Sequence, residues 1–118
     1  MNFNFQSVLF IVLSLTGLSM IIAGLIMKKW PPKTPNWAYG YRSKSVMNSQ
    51  EKWDFAQKYS SKELLGWGFS MIVLGLIGSI LSINENLEIF ISLSIIFASF
   101  IISYFKTERA IKQNFPEY

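Results

Sequence analysis

At 118 residues, 51% hydrophobic and 16% aromatic, the chain has room for one domain and few polar residues to wrap it. It holds no Cys and no His, which excludes disulfides, thiol nucleophiles, the usual zinc ligand sets and imidazole acid-base chemistry. A formal charge of +4 could suit a nucleic acid, but the basic residues sit beside long apolar runs, where anionic lipid headgroups are the nearer partner, so no nucleic-acid role is expected.

The first run, residues 5–27, contains no charged side chain. A helix rises about 1.5 Å per residue, so roughly 20 apolar residues match a hydrocarbon layer about 30 Å thick, and this run predicts a transmembrane helix. It lacks a basic n-region and a small-x-small cleavage site, and it ends in Lys28, Lys29 and Trp30. It is therefore expected to be an uncleaved anchor rather than a signal peptide. Pro31 and Pro32 then stop the helix, because proline lacks a donor and disfavours helix in the residue before it.

Residues 28–62 are too long and too aromatic for a passive connector. Asn36, Trp37, Tyr39, Tyr41 and Arg42 mix amphipathic groups expected at the headgroup level, and Gly40 permits a tight or left-handed turn. From 45 to 59 the pattern turns helical. Val46, Trp53, Phe55, Ala56 and Tyr59 fall on one half of the wheel and Gln50, Glu51, Asp54, Gln57 and Lys58 on the other. This predicts an amphipathic helix lying in the cytoplasmic interface. Ser60 and Glu63 have the spacing of a capping box that would open the next helix.

Residues 64–83 and 87–105 are the second and third predicted spans, with Glu88 the one charged side chain within them. The intervening Asn84, Glu85 and Asn86 leave room only for an antiparallel turn. Small residues recur in all three spans: Gly17 and Gly24; Gly68, Gly75, Ser79 and Ser82; Ser92, Ser99 and Ser103. Such stripes let backbones approach where lipid is as apolar as leucine, so a compact three-helix bundle is expected. As core helices of a water-soluble protein these runs would leave too few residues for a polar surface.

All 11 Lys and Arg residues lie either in the loop between the first two spans or after the third. The positive-inside rule then places the N-terminus outside, the long loop and C-terminus in the cytoplasm, and the short turn outside. The fold class is thus an all-α membrane protein, with three transmembrane helices (about 5–27, 64–83 and 87–105) plus an interfacial helix (about 45–59), forming a single transmembrane domain over 1–118.

Pro35, Asn36, Gly40, Tyr41, Arg42, Met47, Gln50, Glu51, Trp53, Phe55, Ala56 and Tyr59, continuing into a glycine-bearing span, resemble the loop of the SdpI family of bacterial membrane proteins. The resemblance covers the loop and its flanking spans. Ser43 stands where the family pattern has Thr. The founding member is longer, with further spans ahead of the matched region. It protects a cell that secretes a membrane-damaging peptide toxin, and recruits a cytoplasmic repressor to the membrane once toxin is sensed. The resemblance implies a multi-pass protein of the bacterial cell membrane, serving immunity or toxin sensing. Its implied partners are the lipid bilayer, a hydrophobic or cationic peptide toxin, and a cytoplasmic regulatory protein.

Two other functions fit the same layout: a membrane accessory or scaffold subunit docking a partner through loop 28–62, and a holin-like pore former. The structured loop argues against the pore. A carrier of ions or protons needs an ionisable group at mid-depth, and these spans have none. Glu51 and Asp54 lie one helical turn apart, but such pairs on a lysine-rich helix usually form its solvated face, so no enzymatic activity, metal or cofactor is expected. The candidate functional loop is Asn36, Tyr39, Gly40, Arg42, Met47, Trp53 and Tyr59. Glu85 and Glu88 form a candidate outer acidic patch where a cationic peptide could bind.

Overall fold

The computed structural model describes residues 2–36 and 38–116. Its elements are α1 (Val8–Lys29), α2 (Lys44–Met47), α3 (Gln50–Ser79) and α4 (Glu85–Asn114). Among the described residues, three helices, α1, α3 and α4, are long and apolar enough to cross a membrane. They form an elongated bundle of 55 × 28 × 21 Å.

Helix α1 opens where the Ser7 hydroxyl accepts from the Phe10 amide, and it ends at Trp30, ahead of the two prolines. Its 22 residues span about 33 Å, close to the thickness of the hydrocarbon layer. Helices α3 and α4 have 30 residues each, about 45 Å, so each carries roughly ten residues past that layer. The overhang lies at the end bearing the long loop. There the first turns of α3 and the last turns of α4 are polar, while their other ends meet in the short turn.

Helices α1 and α3 run antiparallel and pack along their length, whereas α4 makes far less contact with either. The α1–α3 seam is built from the small residues. A β-carbon on Gly17 would stand 2.5 Å from the carbonyl oxygen of Gly68, and one on Gly68 2.6 Å from that of Gly17. Gly24 and Gly75 also face this seam, and Ser79 is buried beside it, while Ser82 lies exposed beyond the end of α3. Leu9, Leu13, Met20 and Met71 form the core that this close approach permits. Outward faces carry Leu15, Leu18, Ile22, Phe69, Phe90 and Phe97, an apolar surface costly in water and at no penalty in lipid.

The expected interfacial helix at 45–59 does not form as a separate element. Lys44–Met47 make the short α2, and after a break Gln50 begins a helix that runs unbroken into the second span. Ser49 is its cap, accepting from the Lys52 amide at 3.3 Å. Ser60 and Glu63 are therefore no capping box: the Ser60 hydroxyl donates back to the Gln57 carbonyl at 3.3 Å, and Glu63 accepts from Lys106 at 3.1 Å. Back-bonding from Ser60 and Ser61 leaves the helix intact across a change of hydropathy that reads as a boundary. The apolar face of this segment turns toward the bundle. Trp53 and Ala56 are fully buried against Val46 and Ile111, in a second core formed where α2, α3 and the overhang of α4 converge.

Candidate functional site

The loop folds as a lid over this second core. Asn36 shapes its first half: its side-chain oxygen accepts from the amides of Ala38 at 2.9 Å and Tyr39 at 2.7 Å, and its amide donates to the Thr34 carbonyl. Tyr39 returns to the end of α1, donating its hydroxyl to the Trp30 carbonyl at 2.6 Å. The Trp53 indole donates to the Pro32 carbonyl at 2.7 Å, so the buried ring also ties α3 to the chain leaving α1.

Gly40 is the pivot. Its φ of +98° lies in the region that favours glycine, and a β-carbon there would stand 2.5 Å from the Gln57 side-chain oxygen and 2.6 Å from Pro32. This lack of bulk brings the next residue against α3. The Gln57 side chain then accepts from the Tyr41 amide and donates to the Tyr41 carbonyl, both at 2.7 Å. One side chain thus satisfies both backbone groups of Tyr41, as a neighbouring strand would. Gln57 is 1% exposed.

Beyond Tyr41 the chain is held by α4. The Tyr41 hydroxyl and the Ser43 hydroxyl donate to one oxygen of Glu108 at 2.6 and 2.8 Å, and Ser45 donates to the other at 2.8 Å. A Thr at position 43 would present the same hydroxyl, so the departure from the family pattern preserves the donor. Burial, then the hydrogen bond to Glu108, raise the Tyr41 phenol well above its usual range. Burial alone would raise the Glu108 carboxyl, but the three hydroxyl donors and nearby Lys112 outweigh it and hold the group below its ordinary value. Glu108 lies three residues past the apolar stretch of α4, in its overhang. The result is a latch joining loop, α3 and α4.

The predicted loop residues do not all belong to it. Asn36, Tyr39, Gly40 and Trp53 are brought together. Met47 is half-buried against the second core. Tyr59 stacks on Phe55 with ring centroids 6.0 Å apart, and Arg42 is exposed, while Trp37 lies outside the described residues. Two residues of the latch do not stand out in the sequence. By its spacing Gln57 falls on the polar half of the wheel, and Glu108 sits in a basic stretch with Lys106, Arg109 and Lys112. The signal for Gln57 was its position four residues after Trp53 and one after Ala56, on the face that is buried.

The outer acidic patch needs correction. Glu85 is exposed, but Glu88 is 6% exposed and turned inward. One of its oxygens accepts from the Ser7 hydroxyl at 2.6 Å and the Leu9 amide at 2.9 Å. It satisfies an orphan donor at the start of α1 and pins α1 to α4, so it is an inward tether rather than part of an exposed patch.

Two of the grooves beside the latch are large. One, of about 550 Å³, lies between the end of α1 and the overhang of α3. The other, of about 530 Å³, opens between α1 and α4 beneath Tyr39 and Tyr41, with Ala23, Ile26, Leu64 and Phe100 among its walls. Among the described residues no three His, Cys, Asp or Glu side chains converge to hold a metal ion.

A family model described as the SdpI/YfhL protein family matches residues 33–105. The chain belongs to this family. The matched segment takes in most of the loop, with Gly40 and Gln57, and continues through α3 into α4, stopping short of Glu108. Among curated proteins, YfhL of Bacillus subtilis (strain 168) is 34% identical over 93 residues, which is 79% of this chain and 79% of that protein. No solved structure matches. Family membership and three apolar helices together make this a multi-pass membrane protein of the SdpI/YfhL family.

Proposed function

We propose that this protein protects the cell that makes it against a membrane-active peptide toxin, or senses that toxin, by a non-enzymatic change in helix packing. One observation carries the reading: the loop that bears the family resemblance is tied through Gln57 to α3 and through Glu108 to α4, so any shift between those helices moves the loop. Its supports are the family of which the founding member has such a role and the collection of all 11 basic residues at the loop end, which favours a cytoplasmic loop. With Glu88 engaged inside the bundle, the lateral cleft between α1 and α4 is the better route for a hydrophobic peptide. A peptide wedged there would bear on Tyr39, Tyr41 and Tyr104, hence on the latch, and a cytoplasmic regulatory protein would read the loop.

The test is survival under toxin. Cells expressing the wild-type chain are challenged with a panel of membrane-active peptides, alongside cells expressing Glu108→Ala at equal membrane levels. Protection by the wild type and its loss in the variant are expected. Survival no better than that of cells lacking the chain, across the panel, sinks the immunity reading. Impermeant labelling of a cysteine placed at position 44 tests orientation, and labelling from outside would overturn a cytoplasmic loop.

A further inference from the structure

The groove between the end of α1 and the overhang of α3 differs from the cleft under Tyr39 in its charge. Lys28, Lys33, Lys58 and Lys62 stand around it, brought together from the last turn of α1, the loop and two successive turns of α3. None of the four makes an ion pair among the described residues. Asp54, which accepts from the Gln50 side-chain amide at 2.9 Å, is the one acid in the lining, and against four lysines it leaves the net charge of the rim positive. Beside the lysines the lining is mostly apolar, with buried Met27 and Pro32 next to Pro31, and Gln50, Gln57 and Ser61 completing it.

The level of this groove matters as much as its charge. Met27 and Lys28 belong to the last turn of α1, where a helix just long enough to cross the hydrocarbon layer leaves it. An apolar floor at the hydrocarbon edge under a ring of ammonium groups at headgroup height matches an amphiphile with an anionic head. A soluble anion would use the ring and gain nothing from the floor. A lysine stem can lie along apolar surface while its charged end reaches a phosphate.

We propose that this groove is a binding site for one anionic phospholipid headgroup, held by Lys28, Lys33, Lys58 and Lys62 through its phosphate, with its glycerol end on Met27, Pro31 and Pro32. The site is independent of the toxin reading, since it requires only the bilayer. A bound headgroup would bridge α1, the loop and α3 beside the latch, making the loop end sensitive to the local content of anionic lipid.

The full-length chain, purified in a neutral detergent, is titrated with dioleoyl-phosphatidylglycerol, dioleoyl-phosphatidylcholine or inorganic phosphate, and native mass spectrometry follows the bound species. One phosphatidylglycerol per chain is expected to be retained at concentrations where phosphatidylcholine is not. The variant K33Q/K58Q/K62Q should lose affinity for it by about tenfold or more. The control K29Q/K44Q/R109Q removes the same charge outside the groove and should stay within about twofold of wild type. Equal retention of the two lipids overturns the site. So does an equal loss in the control, which would mean diffuse attraction to a positive surface. Displacement of phosphatidylglycerol by an equal concentration of inorganic phosphate would reveal an anion site with no part for the lipid. Melting curves of both variants in phosphatidylcholine check that each is folded.

Discussion

The α1–α3 seam and the attachments of α4 solve one problem by opposite means. In lipid there is no hydrophobic drive to bring helices together, so association rests on close packing or on polar bonds. Helices α1 and α3 use the first: glycines at 17 and 68 put backbone against backbone, with apolar side chains filling in around them. Helix α4 has no glycine: it sets the buried Ser92 and Ser99 and the half-buried Ile91, Ile95 and Ile96 against the bundle and adds polar fastenings at both ends. At the turn end Glu88 holds Ser7 and Leu9; at the loop end Glu108 holds Tyr41, Ser43 and Ser45. A seam packed along its length resists sliding everywhere. Helix α4 touches the other two far less than they touch each other, and the lateral cleft lies along that less tightly packed side. The difference marks α1–α3 as frame and α4 with the loop as the part that can respond.

Breaking the frame should have the largest effect. Gly17→Val places bulk where even a β-carbon meets the Gly68 carbonyl at 2.5 Å, and backbone cannot turn aside as a flexible side chain can. A loss of about 3 kcal/mol is expected in denaturant titration of the detergent-solubilised chain. A loss under about 0.5 kcal/mol would show that the seam spreads freely and that close approach is not what holds it.

The latch comes next. Gly40→Ala combines an unfavourable φ of +98° with contacts at 2.5 and 2.6 Å, and should cost about 2 kcal/mol. Gln57→Leu strands the amide and carbonyl of Tyr41 and should cost about 2 kcal/mol as well. Both act on the same junction, so the double variant is expected to lose clearly less than the sum, and full additivity would mean that Gly40 and Gln57 do not serve one latch. Limited proteolysis of the loop gives a second readout: both variants should be cut faster between residues 33 and 43, while Gly17→Val exposes the whole chain at once.

The frame was legible in the sequence and the latch was not. Charge-free runs of helical length announce spans directly, and the stripe through Gly17, Gly24, Gly68 and Gly75 announces their contact. What the sequence concealed depends on residues far apart along the chain. Gln57 meets Tyr41 across 16 positions and Glu108 meets it across 67, so neither pairing has a local signature. Tyr39, Gly40 and Trp53 stand out because glycine and aromatic residues are conspicuous in any loop. The shift from polar to apolar near residue 62 suggested two helices where there is one, because hydropathy records where the lipid begins, while the backbone ladder continues regardless. Glu88 was misjudged for a related reason: an acid in a first helical turn usually serves its own helix, and here it serves the start of α1.

Smaller effects would sharpen the picture of α4 as pinned at its ends. Glu88→Ala leaves the buried Ser7 hydroxyl and Leu9 amide without their acceptor and should cost about 1–2 kcal/mol, no more than the latch variants. Lys106→Ala also removes a link between α4 and α3, the pair to Glu63 at 3.1 Å, but the lysine side chain is 52% exposed. Solvent screens such a pair and the long side chain resists ordering, so a change under about 0.5 kcal/mol is expected. If Lys106→Ala instead destabilises as much as Glu88→Ala, the loop end of α4 is held by charge as well as by the latch. The Glu63 oxygen that is buried with no hydrogen-bond partner would then be the place to look, since removing the lysine would leave the entire carboxyl uncompensated.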